Sequence, residues 1–143
     1  MLTIKRLSLE DARNLIAGGR AKAEDIGVPM CIAITDESGQ LIAFERMDGG
    51  KVTSTIIAQD KAYTAAGAKR TTQSYSEASQ PGKPAYGIHS AIGGRLLVVA
   101  GGIPVLIDGE VVGAVGFSSG SPAQDAECAQ AGIDALLSQI PGR

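Results

Sequence analysis

Residues 46–50, "RMDGG", place a cation, an anion and two glycines between a strand-like run and a helix-like run. Glycines let a backbone approach a ligand closely, and the N–H groups at a helix start attract anions. A guanidinium such as that of Arg46 binds a carboxylate through two N–H groups. The stretch predicts an anion-binding corner made of Arg46, Asp48, Gly49, Gly50 and, at the helix start, Thr53. The alternative is an ion pair between Arg46 and Asp48 that only pins the turn.

Lys61 borders a helical face that is otherwise apolar, four residues after Ile57. At the edge of a pocket, Lys61 could bind a carboxylate, or act as a base if burial lowers its pKa. The alternatives are an exposed partner for a side chain one turn away, or an ammonium that reaches water along an apolar surface. The sequence leaves these roles open.

His89 is the one histidine in the chain, and the ordinary pKa of histidine suits proton transfer near neutrality. It follows a segment rich in Pro and Gly, and loops of this kind often carry binding sites. An axial haem ligand, a general base and a plain loop residue are all open as roles for His89. Tyr86, three residues earlier, could donate a phenolic hydrogen bond or stack on a flat ligand.

Two glycine-containing stretches could present backbone N–H groups to one ligand. The first, "AGGIPV" at 100–105, puts Gly101 and Gly102 at the start of a strand, and the second, "GFSSGSP" at 116–122, ends a strand before a capped helix. Simple helix capping is the alternative for the second stretch. The chain shows no Ser-His-Asp order, phosphate-loop pattern or metal-ligand spacing, which argues against the common hydrolase and nucleotidase classes.

The segments that must position these residues alternate between helical and β patterns. Apolar residues recur every three or four positions in the first and last segments, and "DESGQ" and "DG" turns separate β-rich runs. The pattern predicts an α+β fold with an about five-stranded, largely antiparallel sheet. The predicted order is helix, two strands, helix, a short helix or mobile loop, three strands and a final helix.

The predicted strands "LLVVA" and "VVGAVGF" are apolar on both faces. A single layer of helices would leave one face of such strands in water, so a second helical layer or a partner subunit must cover it. The sequence therefore predicts self-association into a homo-oligomer.

The bulk composition bounds the class of protein. The chain has 143 residues, 13 basic and 15 acidic side chains and a net charge of −2, which predicts a single domain, residues 1–143, and no nucleic-acid partner. No window approaches the roughly 20 apolar residues of a membrane span, so we expect no membrane partner and a cytoplasmic location. Cys31 and Cys128 stand alone and are predicted to be small buried hydrophobes.

Four stretches occur in order along the chain: "IAITDESGQLIAFERMDGG", "KAYTA", "GGIPVLIDGEVVGAVGFSSG" and "QDAECAQAGI". Together, over roughly residues 5–138, they resemble the GlcG/HbpS family, which also appears as the C-terminal domain of PduO-type proteins. The resemblance implies a profilin-like α+β fold, a homo-oligomer, and binding of haem or corrinoid-related ligands in some members. It supplies no ligand motif for numbered positions, and a single histidine excludes a bis-imidazole iron site within one subunit.

Three hypotheses of function follow. The leading one is a small-molecule-binding protein that holds haem or another flat or acidic ligand between the "RMDGG" corner, the 80–90 loop and the "AGGIP" stretch, with His89 as the candidate iron ligand. The second is a small catabolic enzyme, an isomerase, tautomerase or hydrolase, in which Arg46 holds a carboxylate and His89 or Lys61 moves a proton. The third is an assembly module that only oligomerises.

Overall fold

The structure, a computed structural model, describes residues 1–142. Within that range the helices are α1 Leu9–Ile26, α2 Ser54–Ala68, α3 Thr72–Ala78 and α4 Pro122–Ser138. The strands are β1 Cys31–Asp36, β2 Leu41–Arg46, β3 Gly102–Ile107 and β4 Glu110–Ser118. The α+β class is therefore as predicted, and no helix in this part of the chain is long and apolar enough to cross a membrane.

Local sequence signals fix the starts of the two longest helices. At α1, the Ser8 side chain accepts the Asp11 N–H while the Asp11 carboxylate accepts the Ser8 N–H, which is a complete capping box. Ser121 and Gln124 form the same reciprocal pair at α4, with Pro122 in the first helical turn. The "SSGSP" stretch thus serves as a helix cap.

The sheet is antiparallel throughout and has the order β2-β1-β4-β3. Alternate side chains of a strand face opposite sides, so β1 and β4 contribute to two cores. On one side Ile34 and Phe117 pack with α1 and α4, and on the other Cys31 and Ala33 pack with α2. The second helical layer predicted from the doubly apolar strands is therefore supplied by the chain itself.

The prediction of about five strands is wrong, because "LLVVA" at 96–100 forms no strand and the sheet has four. The Leu97 N–H donates to Thr64 Oγ1 on α2 at 2.9 Å, and Thr64 Oγ1 also contacts the Arg95 carbonyl at 3.2 Å. Both edges of β4 are already paired, with β1 and β3. The apolar run therefore crosses α2 and binds a side chain instead of joining the sheet.

Candidate functional site

The "RMDGG" stretch is a tight turn between β2 and the start of α2. The Gly50 N–H donates to the Met47 carbonyl at 2.9 Å, and Gly49 has a φ of +90°, as the third residue of a type II turn requires. A Cβ at Gly50 would lie 3.1 Å from the Met47 carbonyl oxygen and 3.4 Å from Cys31 Sγ. The geometry of the turn therefore accounts for both glycines without a ligand.

The start of α2, beside this turn, offers few free donors to an anion. The Ser54 and Thr55 N–H groups donate to the Lys51 and Val52 carbonyls, at 3.0 and 3.3 Å. Thr53 occupies the N-cap position, but its side chain makes no capping hydrogen bond. Because these N–H groups already have acceptors, the corner depends mainly on Arg46 for any attraction to an anion.

Arg46 is exposed at the end of β2, in a charged surface groove shared with α1. In that groove Arg20 already pairs with Glu45. Across residues 1–142 no ion pair joins Arg46 to Asp48. The alternative interpretation, a salt bridge that pins the turn, is therefore not what holds the turn together.

Lys61 is buried, with 2% of its surface exposed. It is therefore neither an exposed partner for a side chain one turn away nor an ammonium that reaches water. Its Nζ donates to Asp125 Oδ2 and to the Phe117 carbonyl, each at 2.9 Å. Asp125 Oδ1 in turn accepts the Gly120 N–H at 2.9 Å. Burial lowers the pKa of Lys61 from its ordinary value, and the negative charge of Asp125 opposes that shift. The pair joins α2 to α4, which lie on opposite faces of the sheet.

Gly101 and Gly102 are buried and serve the packing of α2 against the sheet. The Gly101 carbonyl accepts the Phe117 N–H at 3.0 Å, and the Gly102 N–H donates to Thr72 Oγ1 at 2.9 Å. A Cβ at Gly101 would lie 2.8 Å from Lys61 Nζ, and one at Gly102 would lie 2.5 Å from the Lys61 carbonyl oxygen. These backbone groups are therefore engaged inside the protein.

His89 and Tyr86 lie on the loop that follows α3, and both are exposed. His89 belongs to a short 3-10 turn, Ile88–Ser90, and its imidazole has no hydrogen bond or ion pair with any described residue. Tyr86 exposes 67% of its surface, and Ile92 and Val99 are further exposed apolar side chains of the same segment. The loop thus presents an uncommitted imidazole, and the segment that carries it also exposes apolar side chains.

A second cleft, missed at the sequence level, lies beside the C-terminal half of α2. We call it the tyrosine cleft; it has a volume of about 370 Å³ and is lined by Ser38, Tyr63, Gly67, Ala68, Tyr75, Ile92 and Leu96. Each tyrosine has a guanidinium over its ring: Arg95 Cζ lies 3.8 Å from the Tyr63 centroid and Arg70 Cζ lies 4.8 Å from the Tyr75 centroid. The chain has three tyrosines, two of which line this cleft. That small number was the one feature of the sequence that could have drawn attention to Tyr63 and Tyr75.

The predicted site residues occupy separate parts of the molecule. Arg46 lies near the start of α2, whereas Arg95 and Ile92 lie along its C-terminal half, and this helix of 15 residues is about 22 Å long. In the sheet, β1 separates Arg46 from β4, the strand that carries the carbonyl bound by Lys61. No hydrogen bond or ion pair among residues 1–142 connects Arg46, Lys61 and His89 to one another.

Among the described residues, no group of three or more His, Cys, Asp or Glu side chains is placed to hold a metal ion. Cys31 and Cys128 are both buried and free, as predicted.

The sequence matches haem-degrading HbpS-like proteins over residues 7–134. The chain belongs to the HbpS-like family. An uncharacterized 15.0 kDa protein from the dhaT-dhaS intergenic region of Citrobacter freundii is 36% identical over 131 residues, which span 92% of each chain. The resemblance stated from the sequence motifs is therefore confirmed.

Two further similarities concern PduO proteins. The corrinoid adenosyltransferase PduO of Salmonella typhimurium is 33% identical over 130 residues, which cover 91% of this chain and 39% of PduO. A crystal structure of a PduOC:haem complex superposes with a TM-score of 0.88 and 33% identity, and the match covers 91% of this chain and 94% of PduOC. The similarity is thus to a part of PduO, and one structure of such a part holds haem.

Proposed function

We propose that the protein binds haem or a closely similar flat, carboxylate-bearing ligand at the loop that carries His89. The observation that carries this proposal is the similarity to PduOC over nearly its whole length, since that domain crystallised as a complex with haem. Membership of a family described as haem-degrading HbpS-like supports the same ligand class.

The residues of the loop suit such a ligand. A haem iron takes an imidazole nitrogen as an axial ligand, and His89 is exposed and uncommitted. The porphyrin is largely apolar, and the exposed rings and aliphatic side chains of Tyr86, Ile92 and Val99 provide apolar surface on the same segment. When bound, haem would supply the iron-centred chemistry, His89 would supply an imidazole to hold the iron, and the exposed side chains of the segment would supply apolar contact.

A homo-oligomer follows from the same arrangement. An exposed loop covers one side of a flat ligand, so a second copy of the chain is proposed to cover the other side and exclude water. A molar mass by light scattering at micromolar concentration should exceed 14.6 kDa by a whole-number factor of two or more. The mass of a monomer, with and without haemin, would contradict this part of the proposal.

Haemin titration tests the ligand. The wild type should shift the Soret band of haemin to that of a histidine-ligated complex, and His89→Ala should weaken this shift. Gln80→Ala is the matched control, because Gln80 is exposed on the same loop and its side chain bonds only the Ser76 carbonyl. A Soret spectrum that the wild type leaves unchanged would refute the proposal.

A second candidate, binding of a small carboxylate at Arg46, is favoured by one observation. Arg46 is exposed at a groove and has no ion-pair partner among residues 1–142. An enzyme that used this corner would not draw its base from Lys61, whose ammonium is bound to Asp125 and to a backbone carbonyl. We therefore propose carboxylate binding at this corner without a proton-transfer role for Lys61.

A further inference from the structure

The tyrosine cleft is built from four separate segments of the chain. Ser38 comes from the turn between β1 and β2, Tyr63 from α2 and Tyr75 from α3, while Ile92 and Leu96 come from the segment that crosses α2. A cleft of about 370 Å³ is at the lower end of the range for small-molecule sites and suits a ligand of one or two rings.

Two arginines, Arg95 and Arg70, lie over the tyrosine rings that line the cleft, and fixed partners hold both of them. Arg95 Nε donates to Asp60 Oδ1 at 3.1 Å while its guanidinium stacks on Tyr63. Arg70 donates to the Ser74 hydroxyl and carbonyl, at 2.9 and 3.1 Å, and lies over Tyr75. The terminal nitrogens of Arg95 bond no described residue, so they can donate to a carboxylate.

Packing explains neither the glycine at position 67 nor the backbone conformation of Ile92, two residues that line the cleft. Gly67 lies within α2, where glycine is less favourable than alanine, yet a Cβ at this position would meet nothing within 4 Å. Ile92 is β-branched but has a φ of +53°, a strained conformation, and it exposes 57% of its surface. Strained backbone conformations are concentrated at functional sites, and the exposed glycine leaves the neighbouring surface of α2 accessible.

We propose that the tyrosine cleft binds a planar aromatic carboxylate. Tyr63 and Tyr75 form aromatic walls of the cleft, and Gly67 lets the ligand approach the helix. The guanidiniums of Arg95 and Arg70, which already lie over these rings, complement the negative charge. Asp60 serves as the counter-ion that fixes Arg95 and leaves the terminal nitrogens of Arg95 for the ligand. This site does not use His89, and Ile92 is the residue that it shares with the proposed haem contact.

Calorimetric titration with 2-naphthoate tests the proposal, and 2-naphthamide provides a neutral ligand of the same shape. The wild type should bind the acid at least tenfold more tightly than the amide. Gly67→Leu places a side chain in open space, so the fold should persist while affinity for the acid falls at least tenfold. Gly67→Ala, a small substitution at the same position, is the control for helix effects and should retain most of the affinity.

Arg95→Gln should lower affinity for the acid at least tenfold and leave affinity for the amide nearly unchanged. Equal affinities for acid and amide, an unchanged affinity in Gly67→Leu, or no binding of the acid at millimolar concentration would each overturn the proposal. A haemin titration of Gly67→Leu separates the two sites. A wild-type Soret shift in that variant is the expected result, and its loss would mean that the cleft is part of a haem site and not a separate one.

Discussion

Replacing Asp125 by Asn tests whether the buried Lys61–Asp125 pair joins the two helical layers. The side chains of Lys61 and Asp125 are 2% and 4% exposed, and their charged atoms lie 2.9 Å apart. Removing one partner of a buried pair leaves an uncompensated charge and costs about 3–5 kcal/mol. Asn keeps an oxygen that can accept the Gly120 N–H, so the loss reports the charge of Asp125, including its smaller interaction with the N-terminus of α4. For a chain of this length the cost corresponds to a fall in Tm of roughly 10–15 °C.

The measurement is urea unfolding followed by circular dichroism, on Asp125→Asn, Lys61→Met and the double variant. Replacing both charges by neutral groups is often neutral or even stabilising, so the double variant should be more stable than either single variant. Single variants that each lose under about 1 kcal/mol would show that the pair behaves like a surface ion pair. A double variant whose loss equals the sum of the single losses would show that the two charges are not coupled.

Three further predictions concern the sheet, the corner and the pH dependence of stability. A Cβ at Gly116 would lie 2.0 Å from the Ala58 carbonyl oxygen, so Gly116→Ala should push α2 away from the sheet. We expect the free energy of unfolding in urea to fall by about 1–3 kcal/mol. A urea midpoint equal to that of the wild type would contradict this packing. Arg46→Ala should leave Tm nearly unchanged and lower affinity for acetate or benzoate about tenfold or more, whereas a fall of several degrees with unchanged binding would make the corner structural. Burial lowers the pKa of Lys61 in the folded protein from the ordinary value of 10.5, which applies to the unfolded chain. Between these two pKa values the unfolded chain binds more protons than the folded protein does. The free energy of unfolding therefore gains a contribution that rises with pH in this interval. Lys61→Met should remove that rise, and an identical pH profile in wild type and variant would contradict it.

The parts of the fold that depend on neighbouring residues could be predicted from the sequence. The capping boxes at Ser8 and Ser121 act over three residues, and the hairpin turns act over two to five, so local patterns were sufficient. The strand expected at 96–100 failed because the hydroxyl of Thr64, some thirty residues away in sequence, binds that backbone. Periodicity carries no information about such a contact.

The sequence identified which residue types could bind a ligand, but it did not show how these residues are arranged in space. His89 was identified as the one imidazole, and the structure places it on an exposed loop, as a site on that loop requires. The partner of Lys61 is 64 residues away, so its burial could not be read from the helix pattern alone. Gly101 and Gly102 were interpreted as ligand contacts, but a close approach of α2 to the sheet requires the same residue type. Glycine marks a close approach without telling what approaches.

The most direct test of haem binding through His89 is chemical rescue. His89→Gly removes the imidazole and leaves space for a free one, and the side chain has no partner among the described residues whose loss would disturb the fold. We predict that His89→Gly binds haemin without the histidine-ligated Soret and electron paramagnetic resonance spectra, and that millimolar imidazole restores both to the wild-type form. Wild-type spectra in His89→Gly without added imidazole would show that the iron ligand lies elsewhere and would contradict the account.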